Sequence, residues 1–216
     1  GNVNCRASTG TPFSYVYWPT ELPPRPGVYE VEVWFQNDCD DLNPVSASLF
    51  VTYNGQQIFN DTIRPSELER YLTSFTINAD GTAEPSDGGI IRGVTDLNYT
   101  PELAAAAALL AGEPRSGIIT QDNKFDVFLF TGTAGEVVNI AMNNTSGTLD
   151  PLLYVVDTVG NVVAENDDAV AGENTDALIA NLALPADGQY IIIATHFGGR
   201  YGGTTGTYAL TLTRLN

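Results

Sequence analysis

The sequence has few basic residues for its length. Nine lysines and arginines stand against 26 aspartates and glutamates, so the formal net charge of the 216 residues is −17 at pH 7. A negatively charged surface repels the phosphate backbone, which excludes nucleic acid as a partner. The same charge disfavours binding to anionic membranes. A hydrophobic fraction of 43% indicates a folded, globular chain.

Cysteine and long apolar runs are equally scarce. Cys5 and Cys39 are the only cysteines, and neither a Cys-x-x-Cys motif nor a Cys/His cluster predicts a zinc site. The pair predicts one disulfide formed in an oxidising compartment, the alternative being two buried free thiols. The longest candidate for a membrane span, Ala104–Ala111, is far too short, and no signal peptide is present. We therefore expect a mature, secreted form with no membrane span.

No catalytic constellation is apparent. His196 is the only histidine, and no Gly-x-Ser-x-Gly motif accompanies it, so a serine triad would depend on this one residue. Nothing aligns two carboxylates across an obvious cleft, as glycoside hydrolysis requires. The sequence therefore predicts no catalytic residues and a protein that is not an enzyme.

The pattern along the chain predicts an all-β fold of two β-sandwich, jelly-roll-like modules. Residues 1–85 form the first module: strands are predicted at Pro12–Trp18, Gly27–Phe35, Ser46–Tyr53 and Tyr71–Asn78, and Asn54-Gly55 is a strong hairpin signal. Residues 86–112 are a linker with one short helix, opened by Thr100-Pro101 and ended by Gly112. Residues 113–216 form the second module, with short strands at regular spacing.

Acidic residues crowd one stretch of the second module. Between Thr148 and Ile179 there is no lysine or arginine, and oxygen-bearing side chains lie where three predicted strands begin or end. Ionised carboxylates this close repel one another, and a hard cation with oxygen ligands offsets the repulsion. The stretch thus predicts a calcium site with the ligands Asp150, Asn166, Asp167, Asp168 and Asp176. The alternative is a solvated acidic loop in which Asp150 and Asp176 cap turns or strands.

The order of motifs in the second module resembles the bacterial pre-peptidase C-terminal domain family. The matching pieces are FDVFLF, SGTLDPLLYVVDTVGNVVAENDD, LPADGQYIIIAT and TGTYALTL, and they span about the last hundred residues. The resemblance implies a β-sandwich carried as a non-catalytic accessory module on secreted proteins, often proteases. Some relatives bind calcium, and some bind collagen or polysaccharide.

The N-terminal part carries a weaker resemblance. NCRAS, VYWP and PRPGVYEVEVWFQNDC are similar to the C-terminal half of a secreted bacterial β-domain of unassigned function. In that family an aspartate-rich strand precedes this segment, so the module here is expected to lack its leading strands. The aromatic residues around it are either a platform for sugars or packed core, and Trp34, beside Glu30 and Glu32 on the mixed face of its strand, is the best candidate for exposure.

Two classes of function remain open at this stage. The first is a calcium-stabilised extracellular structural or assembly protein: a surface or filament subunit, or the tail of a larger secreted protein, which associates with itself or with a larger assembly. The second is a module that targets a secreted hydrolase to polysaccharide or protein fibres. An exposed aromatic strip favours the second, and exposed strand edges favour the first.

Overall fold

The structure is a computed structural model, and it describes residues 14–35, 45–66 and 68–215. Two compact units divide the chain, Gly1–Ile91 and Arg92–Asn216, and the division falls inside the predicted linker. Cys5 and Cys39 lie outside the described residues, so the predicted disulfide stays a prediction. Within the described ranges, no helix is long and apolar enough to cross a membrane.

The described part of the first unit contains six antiparallel strands. They are β1 (Gly27–Trp34), β2 (Ala47–Tyr53), β3 (Gln56–Ile63), β4 (Arg70–Ile77), β5 (Ala83–Pro85) and β6 (Gly89–Ile91). Strand β4 is central: it pairs with β1 on one side and with both β5 and β6 on the other. Because it has neighbours on both sides, β4 is buried along most of its length, including Leu72 and Phe75.

Strands β2 and β3 form a separate hairpin in the first unit. Its turn is Asn54-Gly55, and both residues have the positive φ values that a two-residue hairpin requires. The Tyr71 hydroxyl on β4 donates a hydrogen bond to Asp61 Oδ2 on β3 at 2.8 Å, which ties the hairpin to the four-stranded sheet. Of the predicted strand at Pro12–Trp18, the structure describes Ser14–Trp18, and these residues lie in no strand.

The second unit is a sandwich of two sheets. One sheet has the order β13-β10-β15-β8, and the other has the order β12-β11-β14-β9-β7. The strands are β7 (Ala107–Ala108), β8 (Arg115–Ile119), β9 (Phe125–Gly132), β10 (Val137–Gly147), β11 (Pro151–Val156), β12 (Val162–Asn166), β13 (Ala177–Ala183), β14 (Gly188–His196) and β15 (Gly206–Leu215). The predicted all-β class with antiparallel sheets is confirmed.

The core of the second unit lies between the two sheets. Inward-facing residues of both sheets form it, and Ile140, Leu153, Ile192 and Leu210 are fully buried there. A second apolar cluster covers the opposite face of the β11–β14 sheet, where Val94, Leu97 and Leu103 pack against residues such as Tyr154 and Ile193. Strands buried on both faces explain the nearly continuous apolar runs PLLYVV and YIIIAT.

The linker helix is shorter and tighter than predicted. The turn at Thr100–Ala105 is a 3-10 helix, preceded by another at Gly93–Asp96. Ala106 follows the Thr100–Ala105 helix as its C-cap, and Ala107–Ala108 then form β7, which pairs in parallel with β9. The predicted cap is wrong, because Tyr99 occupies the N-cap position and no side chain bonds the helix end. An alanine run buries little apolar surface as a helix, whereas as a strand it satisfies backbone groups at the β9 edge.

Candidate functional site

Three strand ends meet at the acidic end of the sandwich. The pairing of Leu153 with Asn166 places the beginning of β11 beside the end of β12. The Asn166 side chain then reaches the other sheet, because its Oδ1 accepts a hydrogen bond from the backbone N–H of Leu178 on β13 at 2.6 Å. Asn166 therefore links the edge strands of the two sheets.

The side-chain oxygens at this end bind backbone groups. Asp176 Oδ1 accepts a hydrogen bond from the N–H of Asn144 on β10 at 2.8 Å. Asn174 Oδ1 accepts one from the N–H of Asp176 at 3.0 Å, and Asn166 Nδ2 donates to the carbonyl of Asp168 at 3.0 Å. These bonds fix the loop between β12 and β13 against both sheets.

The backbone of Asp150 is hydrogen-bonded through both its N–H group and its carbonyl. Its N–H donates to Thr204 Oγ1 at 3.2 Å, and its carbonyl accepts from the N–H of Phe197 at 2.7 Å. Asp157, at the far end of β11, is a turn residue: its carboxylate accepts hydrogen bonds from the N–H groups of Val159 and Asn161 and from the Asn161 side chain. Chiefly the Asn161 side-chain bond lowers the pKa of Asp157 below its usual value.

The residues predicted as calcium ligands do not converge as a set. Among the described residues, no three side chains of His, Cys, Asp or Glu lie together in a way that could hold a metal ion. Asn166 Oδ1 and Asp176 Oδ1 each accept one backbone hydrogen bond, which occupies one of the lone pairs on each oxygen. Calcium binding by Asp150, Asn166, Asp167, Asp168 and Asp176 stays a prediction.

His196 lies buried at the end of β14 under the glycine-rich loop. Its Nδ1 is 2.7 Å from the carbonyl oxygen of Thr204, a contact that places the proton on Nδ1. Burial, reinforced by the positive charge of Lys124, lowers the pKa of His196 from 6.5 to about 4. Because Nδ1 donates to a carbonyl, it cannot act as the base for the Thr204 hydroxyl 3.5 Å away.

Lys124 fastens the same loop from the other side. Its Nζ donates hydrogen bonds to the Gly202 carbonyl and to Gln121 Oε1, both at 2.7 Å, and Gln121 Nε2 donates to the Gly203 carbonyl at 2.8 Å. A Cβ at Gly202 would overlap the carbonyl of Phe197. Hydrogen bonds to its backbone carbonyls therefore hold the loop closely over His196. This role of Lys124 and Gln121 is structural.

Aromatic side chains are exposed on the first unit. Tyr15 and Tyr17 each expose 70% of their surface, and Trp34 exposes 54%. Trp34 lies opposite Arg70 in the β1–β4 register, with the guanidinium 5.8 Å from the ring centre, and Arg70 forms an ion pair with Glu32 at 3.3 Å. The alternative prediction for the aromatic residues of this region was core packing. Only Tyr29, which is half-buried, fits that alternative. Arg70 had no sequence signal, because its place beside Trp34 depends on the strand register.

A shallow groove of about 230 Å³ lies in the second unit beside β7. Leu109, Leu129, Phe130 and Arg214 are among the residues that line it. Its volume is below the usual range for small-molecule sites, and Arg214 is engaged by Glu136 and by the Thr131 carbonyl. We assign it no ligand.

Comparison with known proteins supports the resemblance found in the sequence. The family model "Bacterial pre-peptidase C-terminal domain" matches residues 124–195, which confirms the resemblance for this part of the second unit. No curated protein matches the chain significantly. The resemblance of the N-terminal part lies outside the matched residues.

Solved structures match about half of the chain at low identity. The pre-peptidase C-terminal domain of a collagenase from Bacillus anthracis is 17% identical, with a TM-score of 0.41, and the match covers 50% of this chain and 94% of that one. PliG, a periplasmic inhibitor of g-type lysozyme, matches from Aeromonas hydrophila at 14% identity, TM-score 0.35 and coverages of 50% and 96%. PliG from Salmonella Typhimurium matches at 14% identity, TM-score 0.37 and coverages of 51% and 98%.

Proposed function

We propose that the protein is a non-catalytic, extracellular structural or assembly protein in which the first unit makes contacts between molecules. The observation that carries this proposal is strand β1. It pairs with β4 over all eight of its residues, and no other strand of the described chain pairs with it. A long, regular edge strand is a template for adding a strand from another molecule, and proteins that do not use such an edge usually shorten, bend or cover it.

The site chemistry agrees with a protein that carries out no reaction. The only histidine is buried and neutral at physiological pH, and its Nδ1 is engaged by a backbone carbonyl. The only lysine is bound to the loop around that histidine. The match to a pre-peptidase C-terminal domain supports an accessory role in the second unit, since such domains accompany other domains on secreted bacterial proteins.

Size in solution tests this function. Purified protein is examined by light scattering and electron microscopy at near-neutral pH, over a hundredfold range of concentration, with calcium and with chelator. We expect rings or filaments, because a contact between two different surfaces of identical copies does not close as a two-fold dimer. A strictly monomeric protein at the highest concentration in both buffers would exclude an assembly role.

A targeting module for a secreted hydrolase is the second candidate. The favouring observation is Trp34, whose exposed ring lies beside the Arg70 and Glu32 pair. A partly exposed indole ring next to charged hydrogen-bonding groups suits the apolar and polar faces of a sugar ring.

Sedimentation with insoluble cellulose, chitin or collagen fibres tests this candidate. Trp34→Ala should then abolish co-sedimentation, whereas Phe50→Ala, which removes an equally exposed ring (62%) from the hairpin, should leave it unchanged. Equal recovery of both variants in the pellet would count against a site at Trp34.

A further inference from the structure

The turn between β2 and β3 is the only place in the sequence where a glycine follows an asparagine. Tyr53 pairs with Gln56, so Asn54 and Gly55 alone form the turn, with φ values of 49° and 76°. Both turn residues are exposed, and a Cβ placed on Gly55 would have no atom within 4 Å. The peptide bond between them is therefore open to solvent.

The two groups that can react with each other at this turn are not engaged elsewhere. Within the described ranges, the Asn54 carboxamide has no hydrogen-bond partner and the Gly55 N–H has no acceptor. Other asparagine side chains are held in place: Asn161 Nδ2 donates to Asp157 Oδ2 at 2.9 Å, for example. Because glycine has no side chain, nothing shields its backbone nitrogen from the carboxamide of the preceding residue.

The Asp-Gly pairs of the chain have the same spacing, but contacts restrain them. These pairs are Asp80-Gly81, Asp87-Gly88 and Asp187-Gly188. The Asp80 carboxylate accepts the Thr82 N–H at 2.9 Å, and Asp187 Oδ1 accepts the Ala134 N–H at 2.7 Å. An added Cβ at Gly88 would overlap the Tyr71 side chain, so the backbone there is closely packed. An ionised carboxylate is also a poorer electrophile than a carboxamide.

We propose that Asn54 is a site of spontaneous deamidation and isoaspartate formation. The Gly55 backbone nitrogen loses its proton and attacks Cγ of Asn54. The new N–Cγ bond closes a five-membered succinimide, and the side-chain nitrogen leaves as ammonia with that proton. Water then opens the ring: breaking the N–Cγ bond gives aspartate, and breaking the original peptide bond gives isoaspartate. Water is the only co-reactant, and no atom changes its oxidation state.

The two products have different effects on the hairpin. Asp-Gly also suits a two-residue turn with positive φ values, so aspartate keeps the turn and adds one negative charge. Isoaspartate carries the main chain through Cβ and so adds one backbone atom to the turn. Because loop length sets the register of a hairpin, isoaspartate should loosen the pairing of β2 with β3. This slow, irreversible change does not depend on the assembly function proposed above.

Mass spectrometry of aged protein tests the site. The full chain is kept at pH 8.5 and 37 °C, and samples taken over four weeks are digested. We expect the peptide with Asn54 to become one dalton heavier, since –NH₂ is replaced by –OH, and to separate into two products. Protein isoaspartate methyltransferase should label only one of them. Conversion should be at least tenfold faster than at Asn181, which is also exposed with a positive φ (53°) but precedes a leucine.

Two variants separate the chemistry from its structural effect. Asn54→Gly keeps a Gly-Gly turn suited to positive φ and removes the carboxamide, so its turn peptide should not change mass. Asn54→Asp should exchange its hairpin amides like fresh wild type, whereas aged wild type should exchange those of Ala47–Tyr53 and Gln56–Ile63 faster. An Asn54 peptide that is unchanged after four weeks, or that reacts no faster than Asn181, overturns the proposal. Isoaspartate without faster exchange refutes the effect on the hairpin.

Discussion

The buried histidine should make the stability of this protein depend on pH in a predictable direction. His196 is fully buried at the end of β14, and burial lowers its pKa from 6.5 to about 4. In the unfolded chain the imidazole takes up a proton as the pH falls through 6.5, whereas in the folded chain it stays neutral until about pH 4. The unfolded state therefore gains protons first, and folding stability falls across this window.

The size of the effect follows from the width of that window. Each unit of pKa difference corresponds to about 1.4 kcal/mol, so this residue removes about 3 kcal/mol of stability between pH 7 and pH 4. Little solvent screening applies, because the imidazole has no exposed surface. The positive charge of Lys124 also disfavours the imidazolium.

A paired measurement isolates this contribution from the carboxylates, which also titrate in acid. Urea unfolding of the wild type and of His196→Gln is followed at pH 7.0, 6.0, 5.0 and 4.5. The variant is expected to be less stable at pH 7, but its loss of stability on acidification should be smaller than that of the wild type by about 2–3 kcal/mol. Equal losses in the two proteins, or an imidazole NMR signal that titrates near pH 6.5 in the folded state, would refute the reasoning.

Three further predictions concern other parts of the chain. Removing calcium with a chelator should lower the melting temperature, and the loss of stability is about 2.7 kcal/mol if calcium was present at a hundred times its dissociation constant. Asp168→Ala should abolish most of this response, whereas the control Asp122→Ala should not. Identical melting curves with and without chelator would exclude the site. The Cys5–Cys39 bond should contribute roughly 3–4 kcal/mol to stability and make the unreduced protein two hydrogen atoms lighter than the dithiol. Alkylation of both thiols in the native state would contradict this pairing. Gly117→Ala should lower the free energy of unfolding by about 2–3 kcal/mol, because a Cβ there would overlap the Tyr208 hydroxyl, which donates to Asp126 Oδ2 at 2.6 Å. Ser116→Ala, at an exposed neighbouring position, is the control, and equal stability of the two variants would contradict this packing.

Strand positions were predictable because they depend on local patterns. The alternation in Gly27–Phe35 and the Asn54-Gly55 turn predict β1 and the β2–β3 hairpin, and both are present. The strands β9, β11 and β14 also lie where apolar runs bounded by turn residues predict them. In each of these cases the side-chain period and the turn conformation are decided by neighbouring residues, so no knowledge of the fold is needed.

The predictions that failed depend on partners distant in sequence. The alanine run after Thr100 has good helix propensity, but Ala107 and Ala108 pair with Phe128 and Leu129 of β9, an edge that a local pattern does not reveal. The predicted strand at Pro12–Trp18 has residues that favour a strand, but its described part, Ser14–Trp18, pairs with no strand of the described chain. A strand needs a neighbour to satisfy its backbone groups, so composition alone cannot establish one.

The acidic end shows why a ligand and a cap are hard to distinguish from sequence. A carboxylate or amide oxygen that follows a strand can bind a cation, or it can accept a hydrogen bond from a free backbone N–H group. Asn166 and Asp176 accept such bonds from Leu178 and Asn144, at distances of 2.6 and 2.8 Å. The first bond joins β12 to β13, and the second joins the end of the loop before β13 to β10. Both roles require the same residue types at the same strand ends, so spacing and charge could locate this end of the sandwich, but only the register between strands shows which backbone group each oxygen meets.

Calcium could bind at this end in two ways that differ in their effect on these hydrogen bonds. A cation bound by Asp167, Asp168 and loop carbonyls would leave these two bonds intact, whereas one that displaced the Leu178 and Asn144 N–H groups from Asn166 Oδ1 and Asp176 Oδ1 would break them. Hydrogen exchange at the Leu178 and Asn144 amides with and without calcium therefore separates the two modes: unchanged or increased protection fits the first, and faster exchange fits the second.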